Sequence, residues 1–158
     1  MTPIISEKRL ASEEATKSFA VALGALLQPG DQVALEGSLG AGKTTFSRHL
    51  ICALSGEEVD VPSPTFTLVQ TYETPKGDVW HFDLYRLEEP TEIWELGFEE
   101  ALSHISLIEW SSNIASLALL DNALTLTFHL TDVEGARVVT LQGNHSWWQR
   151  LEALDASL

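Results

Sequence analysis

The sequence predicts an α/β domain in which a mixed central sheet, carrying antiparallel hairpins, is flanked by helices. Three observations point there. The segment Gly37-Ser-Leu-Gly-Ala-Gly-Lys-Thr44 fits GxxxxGK[ST] and sits between an apolar run at 33–35 and a helical pattern at 46–54. Strand-like and helix-like patterns alternate around that segment, and two later pairs of alternating runs read as hairpins. With 158 residues the chain has the size of one domain with its own core, so the expectation is a minimal P-loop NTPase fold over 1–158. Ligands of such a sheet belong at the carboxyl ends of its central strands.

Taken in order, Ile4-Ile5 reads as a short edge strand. Ser12 with Glu13 and Glu14 marks a helix start, a hydroxyl cap followed by two carboxylates at the positive end of the dipole. Ala15, Phe19, Ala22, Leu23 and Leu26 keep the helical period to about Leu27, and Pro29-Gly30 ends it. The phosphate-loop strand and a helix over 43–54 follow, then a polar connection at 55–60. In Val61-Pro-Ser-Pro-Thr-Phe66 two prolines hold an extended path that excludes a central strand. Residues 67–73 and 78–84 alternate as two strands about the turn Thr74-Pro-Lys-Gly77. In the second of them Trp80, Phe82 and Leu84 share one face, and His81, Asp83 and Tyr85 the other.

A short helix at 91–96 ends at Gly97, and 99–103 makes another turn. Ile105-Ser-Leu-Ile-Glu109 is a buried strand that finishes on a carboxylate. A helical pattern at 111–119 precedes a second hairpin, 123–130 and 137–142, around Asp132-Val-Glu-Gly135; residues 144–158 form a closing helix. Trp80 and Trp94 read as core, Cys52 as a small buried hydrophobe, and Trp147-Trp148 either docks the last helix or faces a partner.

Charge narrows the partners. A net charge of −14 with nine Lys and Arg makes a surface that repels nucleic acid, so direct RNA or DNA binding by the free protein is not expected. The N-terminal residues lack an apolar core of signal-peptide length and no run approaches a membrane span, which leads to the expectation of a cytoplasmic protein with no membrane contact.

The chemistry starts at the glycine loop. Gly37, Gly40 and Gly42 let several N–H groups surround one oxyanion, and the helix that follows adds its dipole. Lys43 is placed for the β- and γ-phosphates and the Thr44 hydroxyl for magnesium, so a nucleoside triphosphate with Mg2+ is the expected ligand. The loop residues Gly37, Ser38, Leu39, Gly40, Ala41, Gly42, Lys43, Thr44 and Thr45 together form the candidate phosphate site. Hydrolysis also needs a carboxylate at the metal. Glu109, an acid ending an apolar strand, is the first candidate, as metal ligand or as orienter of the attacking water; a solvated strand-end acid is the alternative.

Asp83 is the second candidate. An acid in an aromatic strand needs a reason, and the metal shell, an ion pair with Arg86 or a hydrogen bond from Tyr85 would each supply one. His81 by itself reads as a satisfied core or interface histidine. Thr65, on the stiff proline-flanked segment, has the placement of a γ-phosphate sensor or of a plain turn. Trp110 directly follows Glu109 and should report on the site. NKxD is absent, which favours adenine over guanine; Val133 at a hairpin tip can cover a purine and Ser12 can hydrogen bond nearby, unless both are ordinary loop and cap residues.

The set GSLGAGKTT, PSPTF, HFDLYR and IEW, in this order and spacing, resembles the bacterial TsaE (YjeE-like) ATPases over most of the chain. The resemblance implies a small, weak ATPase binding ATP or ADP and Mg2+, which works with the TsaB and TsaD proteins to make threonylcarbamoyladenosine at adenosine 37 of tRNA. It assigns Lys43 and the loop amides to the phosphates, Thr44 and Glu109 to magnesium, Asp83 to the metal or the water, and Thr65 to nucleotide sensing. Ser12 and Val133 match its general placement of the base. Two other readings stand beside it. A small-molecule kinase needs an arginine-bearing lid, yet Arg9, Arg48, Arg86, Arg137 and Arg150 do not cluster in sequence. A pure nucleotide-binding assembly module would need Lys43 but neither acid.

Overall fold

The structure, a computed structural model, describes residues 4–38, 40–62 and 67–157. Its elements are β1 (Ile4–Leu10), α1 (Glu13–Leu26), β2 (Gln32–Gly37), α2 (Lys43–Ser55), β3 (Val69–Thr74), β4 (Gly77–Asp83), a 3-10 helix (Pro90–Leu96), α3 (Phe98–Ala101), β5 (Ile105–Glu109), a second 3-10 helix (Ser111–Leu117), β6 (Leu124–Leu130), β7 (Arg137–Gln142) and α4 (His145–Ser157). The strands form one seven-stranded sheet in the order β1-β7-β6-β2-β5-β4-β3. β4, β5, β2 and β6 run parallel to their neighbours in that row, while β3 and β7 return antiparallel and β1 pairs antiparallel with β7. The expected mixed sheet with two hairpins is therefore present.

Each face of the sheet has its own core. On one side Phe19 and Leu23 of α1, Phe46 and Leu50 of α2 and Trp147 of α4 pack with Phe128 of the sheet. On the other, Trp80, Phe82 and Ile108 meet Ile93, Phe98 and Ile114 from the short helices. β5 is buried at all five residues because both layers cover it. α1 and α2 approach closely at Gly24, where a Cβ would lie 3.1 Å from Leu50 Cδ1. The turn before β4 ties down the end of α1: Lys76 Nζ donates to the carbonyls of Gly24 (3.0 Å), Ala25 (3.2 Å) and Leu27 (2.7 Å), although Gly24 O also accepts from the Leu27 backbone N–H (3.3 Å).

Three expectations change. β1 is seven residues long, not a dipeptide, because β7 pairs with it from Ser6 to Leu10 and, past a register shift, at Ile4; its Glu7, Lys8 and Arg9 are the charged residues of a protected edge. The helical pattern expected over 111–119 is a 3-10 helix that stops at Leu117, bounded by Trp110 and Ala118, both at left-handed backbone angles (φ 59° and 53°). Trp94 is not core: it is 45% exposed and meets Phe98 only edge-on. The tight turn explains it, since at about three residues per turn the buried Ile93 leaves its successor rotated roughly 120° outward. Of the other tryptophans, Trp147 docks α4 and donates from Nε1 to Asn122 O (2.8 Å), whereas Trp148 stays exposed. Cys52 is partly buried against the α1/α2 core. No helix among the described residues is long and apolar enough to cross a membrane.

Candidate functional site

The site is built where β2 ends. Gly37 pairs with Phe128 on β6 at φ 134°, and a Cβ there would stand 2.6 Å from the Phe128 carbonyl oxygen, so only glycine lets the chain leave the sheet here. Ala41 N closes the turn on Ser38 O (3.0 Å). α2 then starts from Gly42, in the left-handed region at φ 111°, with no side chain capping the first turn. Its leading amides are consequently free of a cap oxygen and converge with the loop on the space an anion would take. Leu39 lies outside the described residues; Gly37, Ser38, Gly40, Ala41, Gly42, Lys43, Thr44 and Thr45 follow one another through this turn.

Lys43 folds back into the loop. Its Nζ donates to the carbonyls of Gly37 and Ser38 and lies 3.9 Å from the centre of the Trp110 ring, a cation–π contact. Burial pushes its ammonium below the usual lysine value, and the carboxylates of Glu109, Glu36 and Asp83 pull against that. Trp110 in turn packs on the exposed Tyr85, ring centres 4.9 Å apart, so this tryptophan does stand at the site.

Strand pairing brings the acids there. Leu35 of β2 lies opposite Glu109 of β5, and Glu109 opposite Asp83 of β4, so both carboxylates reach the sheet edge from which the loop departs. Glu109 is almost wholly buried. One oxygen, Oε1, accepts from Thr44 Oγ1 at 3.0 Å; the other, Oε2, is 2.5 Å from His81 Nε2. The alternative of a solvated strand-end acid is thereby removed. Asp83, also buried, accepts on Oδ1 from the Tyr85 backbone N–H (3.1 Å). A hydroxyl and a carboxylate in direct contact are hard oxygen donors, a set that fits magnesium shared with a phosphate. Thr65 falls outside the described residues.

Two contributors escaped sequence reading. His81 looks like an ordinary core residue until β4 is seen beside β5; the only sequence signal was that it shares a strand face with Asp83. Arg137 looks isolated, yet it supports the glycine loop from behind, donating from Nε to Ala41 O (2.8 Å) and from a terminal nitrogen to Gly40 O (3.5 Å). It also walls a cavity of about 120 Å3 beside the loop, together with Glu13, Thr16, Thr45, Phe128 and Gly135. That cavity opens between the start of α1 and the β6–β7 hairpin. Ser12, next to its wall, caps α1 by accepting from Ala15 N (3.2 Å), and Val133 is exposed at the hairpin tip.

Comparison with known proteins places the chain among relatives of one family. The family model for threonylcarbamoyl adenosine biosynthesis protein TsaE matches residues 10–139. The tRNA threonylcarbamoyladenosine biosynthesis protein TsaE of Rickettsia bellii is 52% identical over 118 residues, 74% of this chain and 82% of that protein. The protein of the same name from Rickettsia felis is 44% identical over 94% of this chain and 86% of its own length. Among solved structures, Bacillus subtilis YdiB superposes with a TM-score of 0.77 at 27% identity, covering 99% of this chain and 97% of that one.

Proposed function

The chain belongs to the TsaE family, and from that premise we propose that it binds ATP with magnesium and hydrolyses it slowly, acting on TsaB and TsaD in the threonylcarbamoyladenosine modification of tRNA. Its α/β sheet is the P-loop NTPase fold, as in YdiB. The observation that carries the reading is the 3.0 Å contact between Thr44 Oγ1 and Glu109 Oε1 at the mouth of an uncapped, glycine-built helix start. A phosphate-binding loop serves an anion; adding a buried acid against the loop hydroxyl serves an anion together with a cation.

The roles then follow from position. The loop amides from Gly37 to Thr45 cradle the phosphates. Lys43 exchanges the carbonyls of Gly37 and Ser38 for phosphate oxygens, which bear full charge and bind an ammonium more strongly. Thr44 and Glu109 hold magnesium, whose chemistry when bound is to neutralise charge developing on the phosphates. Asp83, one strand further, supports the metal or orients the attacking water; nucleotide sensing by Thr65 rests instead on the resemblance carried by PSPTF. The base occupies the cavity between Thr16, Thr45 and Arg137, with Ser12 and Val133, on the elements that flank it, as the further candidates to meet it. An acidic protein would meet the RNA-modifying machinery through its protein partners rather than through tRNA. The metabolite-kinase alternative finds no support in the arginines, since Arg137 is tied to Ala41 and Arg150 to Asp31 at 2.6 Å.

The test is the rate of phosphate release from ATP by the protein alone, then with TsaB, TsaD and tRNA. Slow turnover alone and acceleration by the partners are expected. No magnesium-dependent nucleotide binding would remove the site assignment, and no effect of nucleotide on capture of TsaB and TsaD would remove the partner assignment.

A further inference from the structure

His81 is fully buried on the face of β4 that looks toward α2. Its Nε2 lies 2.5 Å from Glu109 Oε2, and its Nδ1 is buried with no partner among the described residues. The proton therefore belongs on Nε2: the opposite tautomer would set a nitrogen lone pair against a carboxylate oxygen and also strand an N–H donor in the core. A carboxylate has two oxygens and can rotate about its last side-chain bond. Here the two ends are divided, one given to the imidazole inside the sheet and one to Thr44 at the loop. Ser47 Oγ donates to the Lys43 carbonyl at 2.9 Å and reaches Oε2 only at 3.5 Å, so the imidazole is the group that holds the inner end.

We propose that His81 is a positioning residue of the cation site, anchoring Glu109 Oε2 so that Oε1 is presented beside Thr44. A buried histidine with one nitrogen unpaired calls for an explanation, and fixing the orientation of a metal carboxylate, as outer partners of metal ligands do, supplies one. The proposal rests on Glu109 being the metal carboxylate. It assigns to His81 no contact with nucleotide and no part in proton transfer.

Affinity for a fluorescent ADP analogue, measured with magnesium and with EDTA, isolates the effect. In His81→Leu the gain in affinity that magnesium brings is expected to shrink about 10- to 100-fold, the usual cost of losing a partner of a metal ligand, while affinity in EDTA stays the same. His81→Gln, whose amide N–H can reach the same oxygen, is expected to recover most of the gain. His81→Phe gives the same reading as Leu if the Leu variant does not fold, because it keeps the ring volume without the donor. An undiminished magnesium gain, or equal losses with and without magnesium, overturns the proposal. Glu109→Gln run in parallel separates the two levels: if it too keeps the magnesium gain, Glu109 is not the metal ligand and both readings fall; if only it loses the gain, the His81 role alone falls.

Discussion

The two halves of the sheet solve opposite problems. Through β4, β5 and β2 the strands run parallel and helices cover both faces, so Val79 to Asp83 and Ile105 to Glu109 are buried without a break. Through β6 and β7 burial alternates, one face against the α1/α2 core and the other only half-buried. A polar side chain at the end of a doubly covered strand has no water to turn to. Glu109 is satisfied by Thr44 and His81, while Lys43 turns to the Gly37 and Ser38 carbonyls, and that enforced pairing is what gathers the groups proposed to bind metal and phosphate. The hairpin half has no such constraint. Its exposed tip and half-buried face shape one wall of a cavity and otherwise tolerate change.

The strongest way to break this contrast is at the parallel half. Glu109→Ala is expected to lower ATP hydrolysis at least about a hundredfold, roughly 3 kcal/mol in the barrier, while nucleotide binding falls far less. Equal losses in rate and affinity would make Glu109 structural. Next come core truncations: Leu107→Ala and Ile108→Ala, on opposite faces of β5, should each cost about 2 to 5 kcal/mol in chemical denaturation, because both faces are packed. On β7 only one face is packed, so Val138→Thr should cost less than about 0.5 kcal/mol. A large loss at Val138 would mean the second face is packed as well. Lys43→Ala removes a charge-assisted phosphate contact and should weaken ATP binding by about 1.5 to 3 kcal/mol, read by titration calorimetry. The smallest effect is expected at the hairpin tip, where Val133→Ser should leave the melting temperature almost unchanged and shift nucleotide affinity less than Lys43→Ala does.

Much of the candidate site is legible in the sequence because it is local. The turn from β2 to α2 needs glycine where the chain leaves the sheet and a lysine and hydroxyl at the helix start, and these are consecutive residues. Glu109 was legible because an acid after Ile105-Ser-Leu-Ile is an anomaly in a buried strand. Trp94 was misread because core placement in a short helix depends on its pitch, which an apolar letter does not reveal. His81 and Arg137 were silent for a different reason: their partners, Glu109 and Ala41, lie 28 and 96 residues away in the chain.

What the amino-acid sequence determined by itself was every feature whose cause spans a few residues: the phosphate loop, the α1 cap, the two hairpins and the acid at the end of β5. What only the tertiary structure decided was which strands are neighbours, and with that the pairing of His81 with Glu109 and the bracing of the loop by Arg137. The physical reason is that backbone conformation and capping are set by adjacent atoms. Strand order is set by how two cores are covered at once, and that compares distant segments no local pattern encodes.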